Sequence, residues 1–187
     1  MPLTKIKSLG ITDGTVLAAD IADGSVTAGK LAAGVGGKVL QVVSTPKTDT
    51  FASNPSDTFI DVTGLSVSIT PSSASNKILV LINISGCGVI ATNIAHFRLV
   101  RGATTIYSGD SPGSRQGAFA SSINSDNNVA ESVGGIFLDS PSTTSATTYK
   151  IQVYSNSTVY INRSQNDNND GNRSRTASSI TVMEIAA

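Results

Sequence analysis

The stretch KILVLINIS, Lys77–Ser85, is the one place in the chain where both faces of a strand read as apolar. One parity presents Ile78, Val80, Ile82 and Ile84; the other presents Leu79 and Leu81 before turning polar at Asn83 and Ser85. A half-buried strand needs a single apolar face, because alternate side chains point to opposite sides of the sheet. The second face predicts a further cover, either another layer of the domain or a neighbouring subunit. We expect a subunit, with Lys77–Ser85 at the centre of a sheet.

Working outward, short alternating runs separated by turn residues predict strands at Lys38–Ser44, Thr58–Val62, Leu65–Thr70, His96–Val100, Thr104–Ser108, Val133–Leu138, Thr147–Tyr154, Val159–Arg163 and Ser179–Ile185. Pro55, Gly64 and Pro71 punctuate the early ones, and Arg101-Gly102 turns a hairpin to which Phe97, Leu99, Ile106 and Tyr107 contribute apolar side chains. Tyr149, Ile151 and Val153 alternate with Lys150, Gln152 and Tyr154, the pattern of a strand with one wet face. Nine or ten short antiparallel strands fit an all-β jelly-roll sandwich better than a small barrel.

The totals agree. With 187 residues the chain accommodates one full-sized domain and an appendage. Charged residues make up 14% and the formal net charge is +0, so the basic footprint of a nucleic-acid partner is missing. The single cysteine, Cys87, excludes an internal disulfide framework and a thiolate metal site. The opening MPLTKIKSLGITDG lacks the apolar core of a signal peptide, and no run approaches the roughly 20 apolar residues of a membrane helix, so a soluble chain is expected.

Before the predicted head, apolar residues recur every five positions at Ile6, Ile11, Val16, Ile21, Val26 and Leu31. A ten-residue repeat overlies this, ITDGTV at Ile11–Val16 answered by IADGSV at Ile21–Val26, each with an Asp-Gly turn signal. So short a segment cannot bury its apolar line alone and needs copies of itself or a partner's surface. Residues 1–36 are therefore expected to form a repetitive stalk or anchor. Gly34–Gly37 serves as hinge, and 37–187 forms the head.

Two stretches are familiar: ITDGTVLAADIADGSVTAGKLA from Ile11, and YKIQVYSNSTVYINRS from Tyr149 followed by SSITVMEIA from Ser178. With the hairpin FRLVRGATTIYSGD from Phe97, they resemble the tail-fibre and spike proteins of tailed bacteriophages. The resemblance implies a homotrimeric virion component with a fibre-like shaft and a head similar to the trimeric C1q and tumour-necrosis-factor jelly rolls. It implies attachment through residues 1–36 to another virion protein, and through the head to a host-surface glycan or outer-membrane protein. A capsid decoration or head fibre, or a free C1q-like trimeric binding protein, is the alternative. The trimer interface is expected on the second face of Lys77–Ser85 with help from the last strand, at Leu79, Leu81 and Met183.

With the first and last strands as neighbours, the loops Thr45–Asp57 and Ser164–Ser178 are expected at the far end of the head, joined by Asp139–Ser145. The second loop holds Asp167, Asp170, Asn172, Arg173 and Arg175, a dense polar set suited to receptor contact. No catalytic role is expected. Cys87 and His96 have no third orienting group, and no paired carboxylates stand in a hydrolase arrangement. Asn166–Gly171 resembles the start of a calcium loop, but its twelfth position is Ala177 in place of the bidentate Glu. No cofactor or metal is expected. The triplets at Asn83, Asn156, Asn162 and Asn172 are what an Asn- and Ser-rich chain produces by chance. With no Trp and 5% aromatics, no deep glycan pocket is evident.

Overall fold

A computed structural model describes residues 14–31, 38–90, 93–123 and 126–187. The chain divides into two units, Met1–Lys38 and Val39–Ala187. In the first, the ten-residue repeat of sequence is a ten-residue repeat of conformation. Gly14 and Gly24 take the left-handed φ values of 81° and 74° that the Asp-Gly turns require, and each is followed by a single 3-10 turn, Ala18–Asp20 and Ala28–Lys30. The Asp20 carboxylate accepts the Leu17 N–H at 2.9 Å, closing the first of these turns. Val16, Leu17, Ile21 and Val26 are all exposed. Ile6, Ile11 and the Gly34–Gly37 hinge lie outside the described residues.

The second unit is all-β: β1 (Val39–Lys47), β2 (Phe51–Ser53), β3 (Thr58–Ile69), β4 (Lys77–Val89), β5 (Ile94–Arg101), β6 (Thr104–Tyr107), β7 (Ala120–Ile123), β8 (Glu131–Asp139), β9 (Thr147–Ser155), β10 (Val159–Ile161) and β11 (Ser178–Ile185). One sheet runs β1-β11-β4-β10-β2, with β8 along the other edge of β4; the second runs β3-β9-β5-β6, with β7 also on β5. Every pairing is antiparallel. The pairs nest: β1 lies on β11, β3 on β9, β4 on β8, and β5 on β6 and β7. That is the pattern of one long hairpin rolled into two layers.

Alternation decides what meets between the layers. From the first sheet come Ile78, Val80, Ile82 and Ile84 of β4 with Ile180 and Val182 of β11; from the second come Leu65, Val67, Ile69, Phe97, Leu99, Tyr149, Ile151 and Val153, all buried in one core. At one end of the sandwich Asp139 stitches the layers together. Its carboxylate accepts the Tyr149 hydroxyl at 2.6 Å and two bonds from Arg101 at 2.9 and 2.7 Å. At the other end Asn162, buried and left-handed at φ 65°, donates its amide to the carbonyls of Lys47 (2.9 Å) and Asp49 (2.7 Å) and accepts the Ser178 hydroxyl (2.6 Å). This hub ties the loop after β10 to the loop after β1, so these two share one end as expected.

Three expectations are corrected. Thr58–Val62 and Leu65–Thr70 are not separate strands; β3 is continuous, with five residue steps from Asp61 to Ser66 set against two from Gln152 to Lys150 on β9. Gly64, at φ 87°, sits in this bulge, which returns Leu65 to the inward side after Val62 instead of turning the chain. Counting one strand too many inverts the directions of β4 to β10, whereas β11 runs back along β1 as expected. The Asp139–Ser145 loop consequently lies not with Ser164–Ser178 but at the opposite end, beside Lys77 and Ile185, since Ile78 pairs with Asp139 and Lys77 with Ile185. The strand count is eleven among the described residues, because β2 and β7 lack an apolar run long enough to notice. β4 also continues through Gly86, Cys87 and Gly88 to Val89, with an irregularity between Ile84 and Cys87 where Gly86 takes φ 60°.

A charge also sits on the inward parity of β11. Glu184 is fully buried and accepts hydrogen bonds from Asn76 Nδ2 (2.6 Å), Gln41 Nε2 (2.6 Å), the Ser72 N–H (2.6 Å) and the Ser72 hydroxyl (2.8 Å). Burial alone raises a carboxyl pKa, but the bonds from Asn76, Gln41 and Ser72 outweigh it and bring Glu184 down to about 2. In the unfolded chain the group titrates near its ordinary 4.5. Its contribution is thus complete above pH 4.5 and is lost as pH falls toward about 2. Urea unfolding across that window is expected to show falling stability. Glu184→Gln should lose about 2 kcal/mol at neutral pH and flatten that part of the profile; an unchanged slope would assign the acid sensitivity to other groups.

Candidate functional site

Because β4 buries Ile78, Val80, Ile82 and Ile84, the pleat turns Leu79 and Leu81 outward. Register then builds rows across the outer face of the first sheet. Val42 pairs with Met183, Met183 with Leu79, and Leu79 with Leu138, a four-strand apolar row. The next row runs Ser44, Thr181, Leu81 and Ile136. Ile136 is 67% exposed, Val42 55% and Leu138 52%, whereas Leu79, Leu81 and Met183 are half-buried by these neighbours. Where Gly134, the outward one of the Gly134-Gly135 pair, offers no side chain, a shallow depression of about 490 Å3 opens between Leu81, Ile136, Asn83 and Thr181. The three interface residues expected from sequence therefore share one surface. Sequence reasoning missed Val42, Ile136 and Leu138, which only the register aligns with them.

The loop between β10 and β11 is organised by one carboxylate. Asp167 accepts Arg175 Nε at 2.8 Å and a second bond from the same guanidinium, and pairs with Arg163 at 3.2 Å. Asp170 Oδ1 accepts the Asn172 N–H at 2.8 Å in an Asx turn. Asp167, Asp170, Arg173 and Arg175 line a polar concavity of about 400 Å3, with Asn172 exposed outside its lining. Arg173 Nε is enclosed without a protein acceptor among the described residues. Asn166 and Asp170 hold protein partners instead of converging, Asn166 Nδ2 donating to Asn128 Oδ1 at 2.9 Å. No cluster of three metal-ligating side chains occurs among the described residues.

Cys87 and His96 form no pair. Cys87 is fully buried, and burial pushes its thiol up to about 12, keeping it protonated. His96 stands on the outer face of β5, its Nδ1 2.9 Å from the Ser121 hydroxyl. Among the described residues no helix is long and apolar enough to cross a membrane. No protein-family model and no curated protein matches the chain.

If Asp167 is what orders this loop, Asp167→Ala should increase amide hydrogen exchange across 164–178 while changing global stability by less than about 1 kcal/mol, the usual range for exposed ion pairs. Unchanged exchange would show that the Asn162 hub alone sets the loop.

Proposed function

We propose that the chain is a structural and adhesive virion protein of a tailed bacteriophage, a tail fibre or the tip of one, whose jelly-roll head assembles as a homotrimer through the outer face of the first sheet. The apolar row Val42, Met183, Leu79 and Leu138 carries this reading, because an exposed continuous apolar surface marks a protein interface far more often than a solvated face. The nested strand pairing supports the jelly roll. The number three and the virion setting come from the resemblance of the leader and the final strands to phage fibres. Residues 1–36, with Val16, Leu17, Ile21 and Val26 exposed, supply the surface for another virion protein. Receptor contact, with a host glycan or outer-membrane protein, is assigned to the polar loop around Asp167, and no reaction is assigned.

Light scattering of the pure protein should give three times 19.1 kDa; a monomer at micromolar concentration would overturn the assembly. Leu81 is the sharper probe, since in a single chain it faces outward and the substituted monomer can still fold. Leu81→Asp would bury a charge with no partner at three symmetric contacts, each costing several kcal/mol. Folded monomers are the expected product, and intact trimers would refute this placement of the interface.

A further inference from the structure

The outer face of the second sheet carries a feature that composition conceals. Phe59 of β3, Tyr154 of β9 and His96 of β5 are consecutive register partners, with Ser121 of β7 completing the row. The Phe59 and Tyr154 rings are 5.4 Å apart, and those of Tyr154 and His96 5.9 Å. The Arg98 guanidinium covers the Phe59 ring at 3.8 Å. Tyr154 and His96 instead line two adjoining concavities of about 570 and 240 Å3. The larger lies within the range of about 300–1,000 Å3 usual for small-ligand sites.

The walls come from loops held at their bases. Residues 109–118 form a loop whose ends meet where the Gly109 N–H donates to the Ala118 carbonyl at 2.9 Å, and this loop brings Asp110, Arg115 and Gln116 to the larger concavity. The smaller adds Asp57, Asn93 and Asn156. Asp57 accepts the Tyr154 hydroxyl at 3.0 Å, which fixes the ring on the floor. The surroundings of the two rings thus combine carboxylate acceptors, a guanidinium donor and three amides that both donate and accept.

We propose that this is a binding site for a neutral pyranose sugar, with the Tyr154 ring against the apolar C–H face of the sugar and the surrounding amides and carboxylates taking its hydroxyls. A pyranose presents a flat patch of C–H groups rimmed by hydroxyls that each donate and accept, and a ring flanked by mixed donors and acceptors is its complement. The polar rim disfavours a purely apolar ligand. The charges disfavour an anion: the two concavities hold two carboxylates, Asp57 and Asp110, to one guanidinium, Arg115, and burial holds His96 below the usual imidazole range, toward its neutral form.

The inference adds to the attachment reading a saccharide contact whose lining is separate from that of the Asp167 loop, and it rests on that reading for its biological role. It lies within one chain, so saccharide binding and oligomer mass can fail separately. The full chain would be titrated with methyl β-glucopyranoside, methyl β-galactopyranoside and methyl α-mannopyranoside, each followed by saturation-transfer NMR. At least one is expected to bind with about millimolar affinity. Tyr154→Ala should weaken it on the order of tenfold and Tyr154→Phe, which keeps the ring, much less. Gln116→Ala, on the loop and outside the sheet, provides a variant whose folding is not at stake and should also weaken binding. Absence of transfer to all three sugars from the folded protein, or affinity unchanged in the folded Tyr154→Ala and Gln116→Ala proteins, would overturn the proposal.

Discussion

A strand in a two-layer sandwich has only one inside. β4 pairs along Ile78–Ile82 with β11 on one edge and β8 on the other, so its position is fixed from both sides. Its inward parity supplies four of the buried core residues, Ile78, Val80, Ile82 and Ile84. Sliding the register by one residue would exchange these for Leu79 and Leu81 and bring Asn83 into the core. The exposed apolar face of the sheet is thus the geometric remainder of the same choice that builds the core, and β11 and β8 extend it because they are tied to β4 residue by residue.

The parts of the fold legible in the sequence are those where alternation is clean. β9 is the clearest, with Tyr149, Ile151 and Val153 all buried and Lys150, Gln152 and Tyr154 facing outward. β4, β11 and the β5–β6 hairpin were also evident. β3 was not, because a glycine between two apolar runs is the same signal whether the chain turns or bulges; only the partner strand distinguishes them. That single ambiguity inverts the strands from β4 to β10 and misplaces the loop after Asp139, although β11 keeps its expected direction along β1 and each strand lies near its expected position.

Polar residues with buried roles were the other blind spot. Glu184 falls on the inward parity of an otherwise apolar strand, and nothing local reveals that Gln41, Ser72 and Asn76 converge on it from distant parts of the chain. Asn162 looked like a chance glycosylation triplet, yet it is the buried node joining the loops after β1 and β10. The aromatic row was hidden for a related reason. Composition alone, with few aromatics, gives no sign that the register places Phe59, Tyr154 and His96 side by side.

The leader's recurring turns set a rule for how its length can change. Conformation between Gly14 and Leu31 repeats with the ten-residue period of the sequence, each period contributing one left-handed glycine and one 3-10 turn. Adding or deleting a whole period leaves both the apolar line and the alternation of left-handed glycine and 3-10 turn in phase, whereas a five-residue change keeps the apolar line but breaks that alternation. The reach of such a segment is quantised, and a lineage carrying it can adjust spacing by duplication without redesigning a single contact.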